Sequence, residues 1–337
     1  MSVPDRVERW LVRIPNWLGD ALMARPLFLA LRAAHPRAEV LGAGPGALLD
    51  LLRGDATWQR EAAIERRGSG AAAGRAGAPP AGPFDVAVIC PPSFSSALGA
   101  WRAGARRRVG FAGDARDLLL TDRVPRPDRG ERHLSVEYLA LGERLGAAAV
   151  PWRPLNVDPL SAARARALGA DGTPYAVLGP GAAYGPAKRW PLERFAAVGR
   201  SLADRGLGLL LAGVTEDRPL CERLRELAGG IGRVVAGETR LGEQAALCAG
   251  ARVTVCNDSG LAHLAAATGS PAVTIFGSTS SAWSAPLGPR VRVVQRPPVC
   301  APCFQRTCRI GYRCLEAVSA RDVLRACDAL LAGEVAA

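Results

Sequence analysis

The 337-residue chain is 49% hydrophobic and 22% charged, values of a globular protein long enough for two domains of ordinary size. No run approaches the roughly 20 apolar residues of a membrane span, and the first residues lack a signal-peptide core, so a cytosolic protein is expected. The 43 basic against 31 acidic residues give +12, but the basic residues are scattered and aromatics make up only 5%. That dispersal, without a zinc-finger, RNA-recognition or basic-zipper signature, argues against nucleic acid and leaves an anionic substrate or membrane surface as the use of the charge.

In chain order, an apolar strand over 10–14 is followed by Pro15-Asn16-Trp17-Leu18-Gly19 and a helix over about 20–34. A strand near 39–41, a helix near 47–53, a strand at 84–90, a helix near 93–104, a strand around 107–111 and a helix over 134–145 complete the first half. Residues 68–83, rich in Gly, Ala and Pro and without hydrophobic period, are expected to be a disordered insertion. In the second half, strands 175–178, 208–211, 233–235, 253–256 and 272–276 alternate with helices near 191–205, 216–228, 241–250 and 259–268. Alternating strands and helices imply parallel sheets covered on both faces. The fold class is therefore α/β, with two doubly wound, Rossmann-like domains. The expected boundaries are 1–152, 153–320 and a C-terminal helix over 321–337, with a cleft between the two domains. Ligands bind such sheets outside the carboxyl ends of the strands.

Lysine occurs once, at Lys188, among 43 basic residues. It ends the turn Gly179-Pro180-Gly181-Ala182-Ala183-Tyr184-Gly185-Pro186-Ala187-Lys188 after the strand 175–178. A point charge retained where every other basic residue is Arg, on a loop of small residues between strand and helix, suits a phosphate. The bland alternative is a chance survivor on a solvated loop. Asp20 stands where the first strand's loop meets the helix, and reads either as the N-cap of that helix or as a carboxylate facing the cleft. In Asn257-Asp258-Ser259-Gly260-Leu261-Ala262-His263, Asn257 or Asp258 is expected to cap the next helix. Ser259, Gly260 and the first-turn amides are then free to face a phosphate or sugar hydroxyls. His263 is either a donor ligand or a core histidine satisfied by a backbone carbonyl.

No Gly-x-Gly-x-x-Gly follows the first strand, and neither a Walker loop nor a Gly-x-Ser-x-Gly elbow occurs, which disfavours dinucleotide enzymes, P-loop NTPases and nucleophile-elbow hydrolases. No His-x-His or His-Glu-x-x-His pattern supports a zinc hydrolase. Four of nine cysteines cluster as Cys300, Cys303, Cys308 and Cys314. That spacing allows a structural zinc or, less well, an iron–sulfur cluster, against reduced thiols or an adventitious disulfide. Cys90, Cys221, Cys248, Cys256 and Cys327 lie in apolar contexts and read as core.

These segments together resemble the lipopolysaccharide heptosyltransferases of glycosyltransferase family 9, over nearly the whole chain. The resemblance rests on residues 14–23, Pro92-Ser93-Phe94-Ser95-Ser96-Ala97-Leu98, residues 180–191, Ala236-Gly237-Glu238-Thr239, and residues 257–263. The insertion at 68–83 and the loop Gly213-Val214-Thr215-Glu216-Asp217 depart from the pattern. The resemblance implies a GT-B fold, with acceptor bound by the N-terminal domain and ADP-heptose by the C-terminal one, and an inverting displacement needing no catalytic metal or cofactor. It implies Asp20 as general base and Lys188 on the donor phosphates. Asp258 would lie on the heptose hydroxyls, and Gly181, Ala183, Tyr184, Ser259, Gly260 and His263 would complete the donor site. The lipid A–core acceptor would place a monomeric enzyme in peripheral contact with the cytoplasmic face of the inner membrane. A related enzyme of the family with another acceptor, or another GT-B nucleotide-sugar enzyme such as an epimerase, is the alternative; a basic nucleic-acid-binding protein is the remote one.

Overall fold

The computed structural model describes residues 7–64, 82–169 and 173–333. Most of the expected insertion at 68–83, and the last residues of the expected C-terminal helix, lie outside them. The chain divides into two compact units, Met1–Trp152 and Arg153–Ala337.

In the first unit, β1 (Arg9–Arg13), α1 (Leu18–Ala34), β2 (Glu39–Gly44), α2 (Gly46–Leu52), β3 (Arg60–Ala63) and β4 (Val86–Ile89) are followed by α3 (Phe94–Arg102), β5 (Arg107–Phe111), β6 (Asp122–Val124) and α4 (Leu134–Glu143). Among the described residues the strands form one sheet in the order β3-β2-β1-β4-β5-β6, and every neighbouring pair is parallel. The central strands are apolar where they are buried, at Trp10, Leu11 and Val12 of β1 and all of β4, as strands covered on both faces must be. A buried Arg25–Asp55 pair at 2.6 Å ties α1 to the turn after α2.

The second unit begins with α5 (Pro159–Ala167) and β7 (Tyr175–Gly179), then α6 (Leu192–Ala203), β8 (Gly208–Leu211), α7 (Arg218–Leu227), β9 (Arg233–Val234) and α8 (Leu241–Gly250). It continues through β10 (Val253–Asn257), α9 (Gly260–Ala267), β11 (Ala272–Phe276), α10 (Ser281–Ser284), β12 (Val291–Gln295), α11 (Arg313–Glu316) and α12 (Ala320–Leu331). The sheet order is β12-β11-β10-β7-β8-β9, again parallel throughout. Alternate residues of β7 enter opposite cores: Ala176 and Leu178 pack with Phe195, Leu224 and Val323, while Tyr175 and Val177 pack with Leu247, Ala262 and Ala265. That is the two-residue period of a strand covered on both sides. The C-terminal α12 belongs to the first of these cores through Val323, Cys327 and Leu330.

Both sheets are doubly wound. Their strand order reverses between β1 and β4 in one and between β7 and β10 in the other. A crevice opens at such a reversal because the connecting helices leave to opposite faces. The residues singled out from the sequence follow β1, β7 and β10. No helix of the described residues is long and apolar enough to cross a membrane.

Candidate active site

In the first unit, the turn after β1 is built by Arg13. Its guanidinium folds back to donate to Ile14 O and to Asn16 Oδ1, both at 2.6 Å. Trp17 then takes extended backbone (φ −112°, ψ 144°), and α1 begins at Leu18. Asp20 is therefore the third helical residue, and the expectation that it caps the helix is corrected. The helix starts two residues earlier because Leu18 and Gly19, read as turn, already have helical geometry. A carboxylate in the first turn is favoured by the positive end of the helix dipole. Asp20 is half-buried and lies near Tyr138, whose hydroxyl pKa is raised by burial first and by the Asp20 charge second.

In the second unit, the turn between β7 and α6 is held by one side chain. Asn257, fully buried at the end of β10, accepts the Trp190 N–H at 3.0 Å and donates to Pro180 O at 2.7 Å. It thus fixes both ends of the turn that carries Lys188. Trp190 is itself buried, with its indole N–H on Val318 O at 3.0 Å and its ring against Phe195. The turn cannot swing away without exposing these groups. Asn257 was expected at most as a helix cap; its amide is spent across the sheet instead. The N-cap of α9 is Ser259, not Asn257 or Asp258, because Ser259 is the last residue with extended backbone (φ −151°, ψ 173°).

Between the ends of β7 and β10, the Lys188 ammonium lies 2.6 Å from Asp258 Oδ2, with side-chain exposures of 13% and 3%. The solvated-loop alternative for Lys188 is thereby corrected: a mostly buried cation paired with a buried carboxylate is a built feature. Thr279 donates its hydroxyl to the same oxygen at 2.5 Å, which holds Asp258 from the β11 side. The Tyr184 ring lies 4.8 Å from Lys188 Nζ, a cation–π distance. An ammonium is thus fixed in position at the strand reversal, with α9 starting two residues after its counter-ion.

Around this pair, Gly181 is buried and Ala183 is exposed at the turn's tip. A Cβ on Gly181 would fall 2.2 Å from the Asp217 carboxyl, so only glycine admits that carboxylate against the turn. Asp217 accepts the Val214 N–H at 3.2 Å, and burial raises its pKa. Ser259 and Gly260 are half-buried at the head of α9, and His263 is buried in its second turn. Asp217, Thr279 and the Asn257 brace had been missed. Thr279 carries no sequence signal, whereas Asp217 sits in the loop that departs from the family pattern.

The four clustered cysteines are free thiols. Among the described residues no group of three or more His, Cys, Asp or Glu side chains is arranged to hold a metal ion. Cys308 accepts the N–H groups of Ile310 and Tyr312 at 3.4 and 3.3 Å, which lower its pKa. Cys90, Cys221, Cys248, Cys256 and Cys327 are buried, as their apolar contexts indicated.

The profile of glycosyltransferase family 9 (heptosyltransferase) matches residues 81–313. Lipopolysaccharide heptosyltransferase 2 of Escherichia coli strain K12 is 31% identical over 85% of this chain and 87% of its own. Lipooligosaccharide heptosyltransferase 2 of Haemophilus influenzae is 30% identical over 83% and 86%. The solved structure of E. coli ADP-heptose lps heptosyltransferase II superposes with a TM-score of 0.79 at 28% identity, covering 97% of this chain and 99% of that one.

Proposed function

Because the chain belongs to glycosyltransferase family 9, the heptosyltransferases, we propose that it transfers heptose from ADP-L-glycero-D-manno-heptose to the heptose I of the lipopolysaccharide inner core. The observation that carries this reading is the Lys188–Asp258 pair at 2.6 Å, at the strand reversal of the second unit.

Breaking a sugar–diphosphate bond builds negative charge on the departing phosphate while the sugar carbon becomes cationic. A preorganised cation at that phosphate stabilises the transition state more than the ground state. Lys188 supplies it. Asp258 and Thr279 hold the ammonium's position, so no reorganisation is needed when the charge develops. The first-turn amides of α9, with Ser259 and Gly260, add dipolar stabilisation to the same anion. Asp258 and His263 are assigned to the heptose hydroxyls. Tyr184, Gly181 and Ala183 shape the rest of the donor turn. Inversion needs a base on the sugar face opposite the leaving group, and the role of taking the acceptor hydroxyl's proton is assigned to Asp20. No step is routed through a metal or cofactor. The acceptor's phosphates and carboxylates, and the anionic cytoplasmic face of the inner membrane where a monomeric enzyme would meet it, suit a net charge of +12.

The test is ADP release from ADP-heptose in the presence of a heptose-I-terminated core acceptor, with and without chelator. Acceptor-dependent release unaffected by chelator is expected. Release only with a core acceptor lacking heptose would move the reaction to an earlier sugar, and a chelator-sensitive rate would overturn the metal-free chemistry.

A further inference from the structure

The segment that bears Cys300, Cys303 and Cys308 is bound to the lysine turn at several points, and one residue accounts for both ends of the attachment. Arg306 donates through Nε to Tyr184 O at 2.7 Å, while its own carbonyl accepts the Ala187 N–H at 3.0 Å. The Tyr184 hydroxyl donates to Phe304 O. On its other side the segment is anchored by the N–H groups of Cys303 and Phe304, both donating to Ser278 O at 3.0 and 2.8 Å. Ser278 precedes Thr279, the hydroxyl donor to Asp258. The contacts close into a ring: Lys188 to Asp258, Asp258 to Thr279, Ser278 to Phe304, and Arg306 back to Tyr184 and Ala187.

Such a ring has a physical consequence. The backbone of 184–188 makes no strand or long-helix hydrogen bonds of its own, so its shape depends on partners. Asn257 holds the two ends of the turn, and Arg306 holds its middle. Gly185 has a left-handed φ of +146°, and a Cβ there would fall 2.7 Å from Arg306 O. The glycine is what allows the clamp to close.

We propose that Arg306 is a positioning residue for the donor-site lysine: it fixes the Tyr184–Ala187 backbone so that the Lys188 ammonium stays where the leaving diphosphate needs it. The proposal rests on the donor-phosphate role given to Lys188, and two readouts separate their failures. Because Lys188 is the sole lysine, its acetylation by an activated ester can be followed by mass spectrometry without interference from other lysine side chains. This measures how firmly the ammonium is held, independently of turnover. In Arg306→Ala, whose side chain is exposed, acetylation of Lys188 should rise about tenfold with the melting temperature little changed. Gly185→Ala, which pushes on the Arg306 carbonyl, should raise it further. Turnover of Arg306→Ala should fall about tenfold or more through kcat, since displacement of a reacting group by 1 Å costs up to a hundredfold, with the acceptor KM unchanged. Because Arg306 acts through Lys188, the Lys188→Ala/Arg306→Ala double variant should be no slower than Lys188→Ala alone.

Wild-type acetylation rates in both Arg306→Ala and Gly185→Ala would overturn the clamp, as would full additivity of the two losses in the double variant. Increased acetylation in Arg306→Ala alongside undiminished turnover of Lys188→Ala would leave the clamp standing and remove the donor-phosphate role of Lys188.

Discussion

Lys188 and Asp258 meet at 2.6 Å with the carboxylate almost wholly buried, so neither can be removed without stranding the other. Truncating one partner of a buried pair costs about 3–5 kcal/mol, because the survivor keeps its charge without compensation. Lys188→Ala should therefore be less stable than the wild type by a few kcal/mol and also slower by roughly a hundred- to a thousandfold, the cost of losing one electrostatic group at a developing oxyanion. Lys188→Arg should restore stability better than turnover: a planar guanidinium can pair with Asp258, but it is not the compact charge that the site holds under the Tyr184 ring. Thermal melts beside steady-state ADP release on the same preparations check both effects. Equal turnover of Lys188→Arg and wild type would remove the argument from shape.

Asp20 poses the opposite balance. It sits in the first turn of α1, half-buried, two residues inside the helix start and not at the N-cap, which is Trp17. Asp20→Ala should thus melt within a few degrees of the wild type while turnover falls by about a thousandfold or more, within or beyond the span usual for a general base. Asp20→Asn should behave alike, since it keeps the shape and loses the basicity. Near-normal ADP release from either purified variant would exclude this carboxylate as the base.

The sequence made some of this visible and hid the rest for identifiable reasons. Apolar runs flanked by Gly, Pro or Asn marked β4, β7, β8, β10 and β11 closely, because strands buried on both faces carry a continuous apolar run. β3, with the sequence Arg-Glu-Ala-Ala, is an exposed edge strand; it pairs because β2 offers an edge, which no local pattern reports. α5 escaped because its Ala and Arg residues make no apolar stripe, although Asp158 caps it and Pro159 begins it. The alternating Val-Arg-Val-Val of β12 was there to be read, but only the four-residue α10 separates it from β11, so the strand–helix rhythm breaks. In the site, Lys188 and Asp258 stood out through residue type and loop position. Thr279, Asp217 and the double-ended hold of Asn257 depend on contacts between distant loops, which neither spacing nor composition encodes.

Asn257 is expected to be the most costly polar truncation in the second unit that leaves the chemistry's own groups in place. Its amide is fully buried and satisfies the Trp190 N–H and the Pro180 carbonyl at once. Asn257→Ala would leave two buried backbone groups unpaired, at about 1–3 kcal/mol each. The isosteric Asn257→Asp keeps the acceptor for Trp190 but turns the donor to Pro180 into a repelling oxygen, and should be nearly as unstable. Urea unfolding of the three proteins, read by the fluorescence of the chain's tryptophans, measures the difference. A loss below about 1 kcal/mol in Asn257→Ala would mean that water replaces the amide and that the turn is not braced there.

Acid should loosen the C-terminal helix before the rest of the second unit. Asp322 closes the N-terminus of α12: it accepts the Ser319 hydroxyl at 2.7 Å and the Ser319 N–H at 3.0 Å, and it receives Arg296 at 3.0 Å. The Ser319 hydroxyl, then the Ser319 amide, with Arg296 adding less, pull the carboxyl from its ordinary 3.8 to about 2. A depressed carboxylate favours the folded state in its ionised form. The stabilisation is therefore complete above the ordinary aspartate range and is lost as pH falls from about 4 toward 2. With part of the group in contact with water, about 1 kcal/mol is at stake. Asp322→Asn should be less stable than the wild type at pH 7 by that amount, and its stability should change less between pH 4 and 2. Because Val323, Cys327 and Leu330 of the same helix lie in the core shared with β7 and α6, hydrogen exchange of α12 amides should accelerate first on acidification in the wild type. Parallel acid dependences of wild type and Asp322→Asn would assign the acid sensitivity to another carboxylate, such as Asp122, which its hydrogen bonds to Arg107 also hold below the ordinary range.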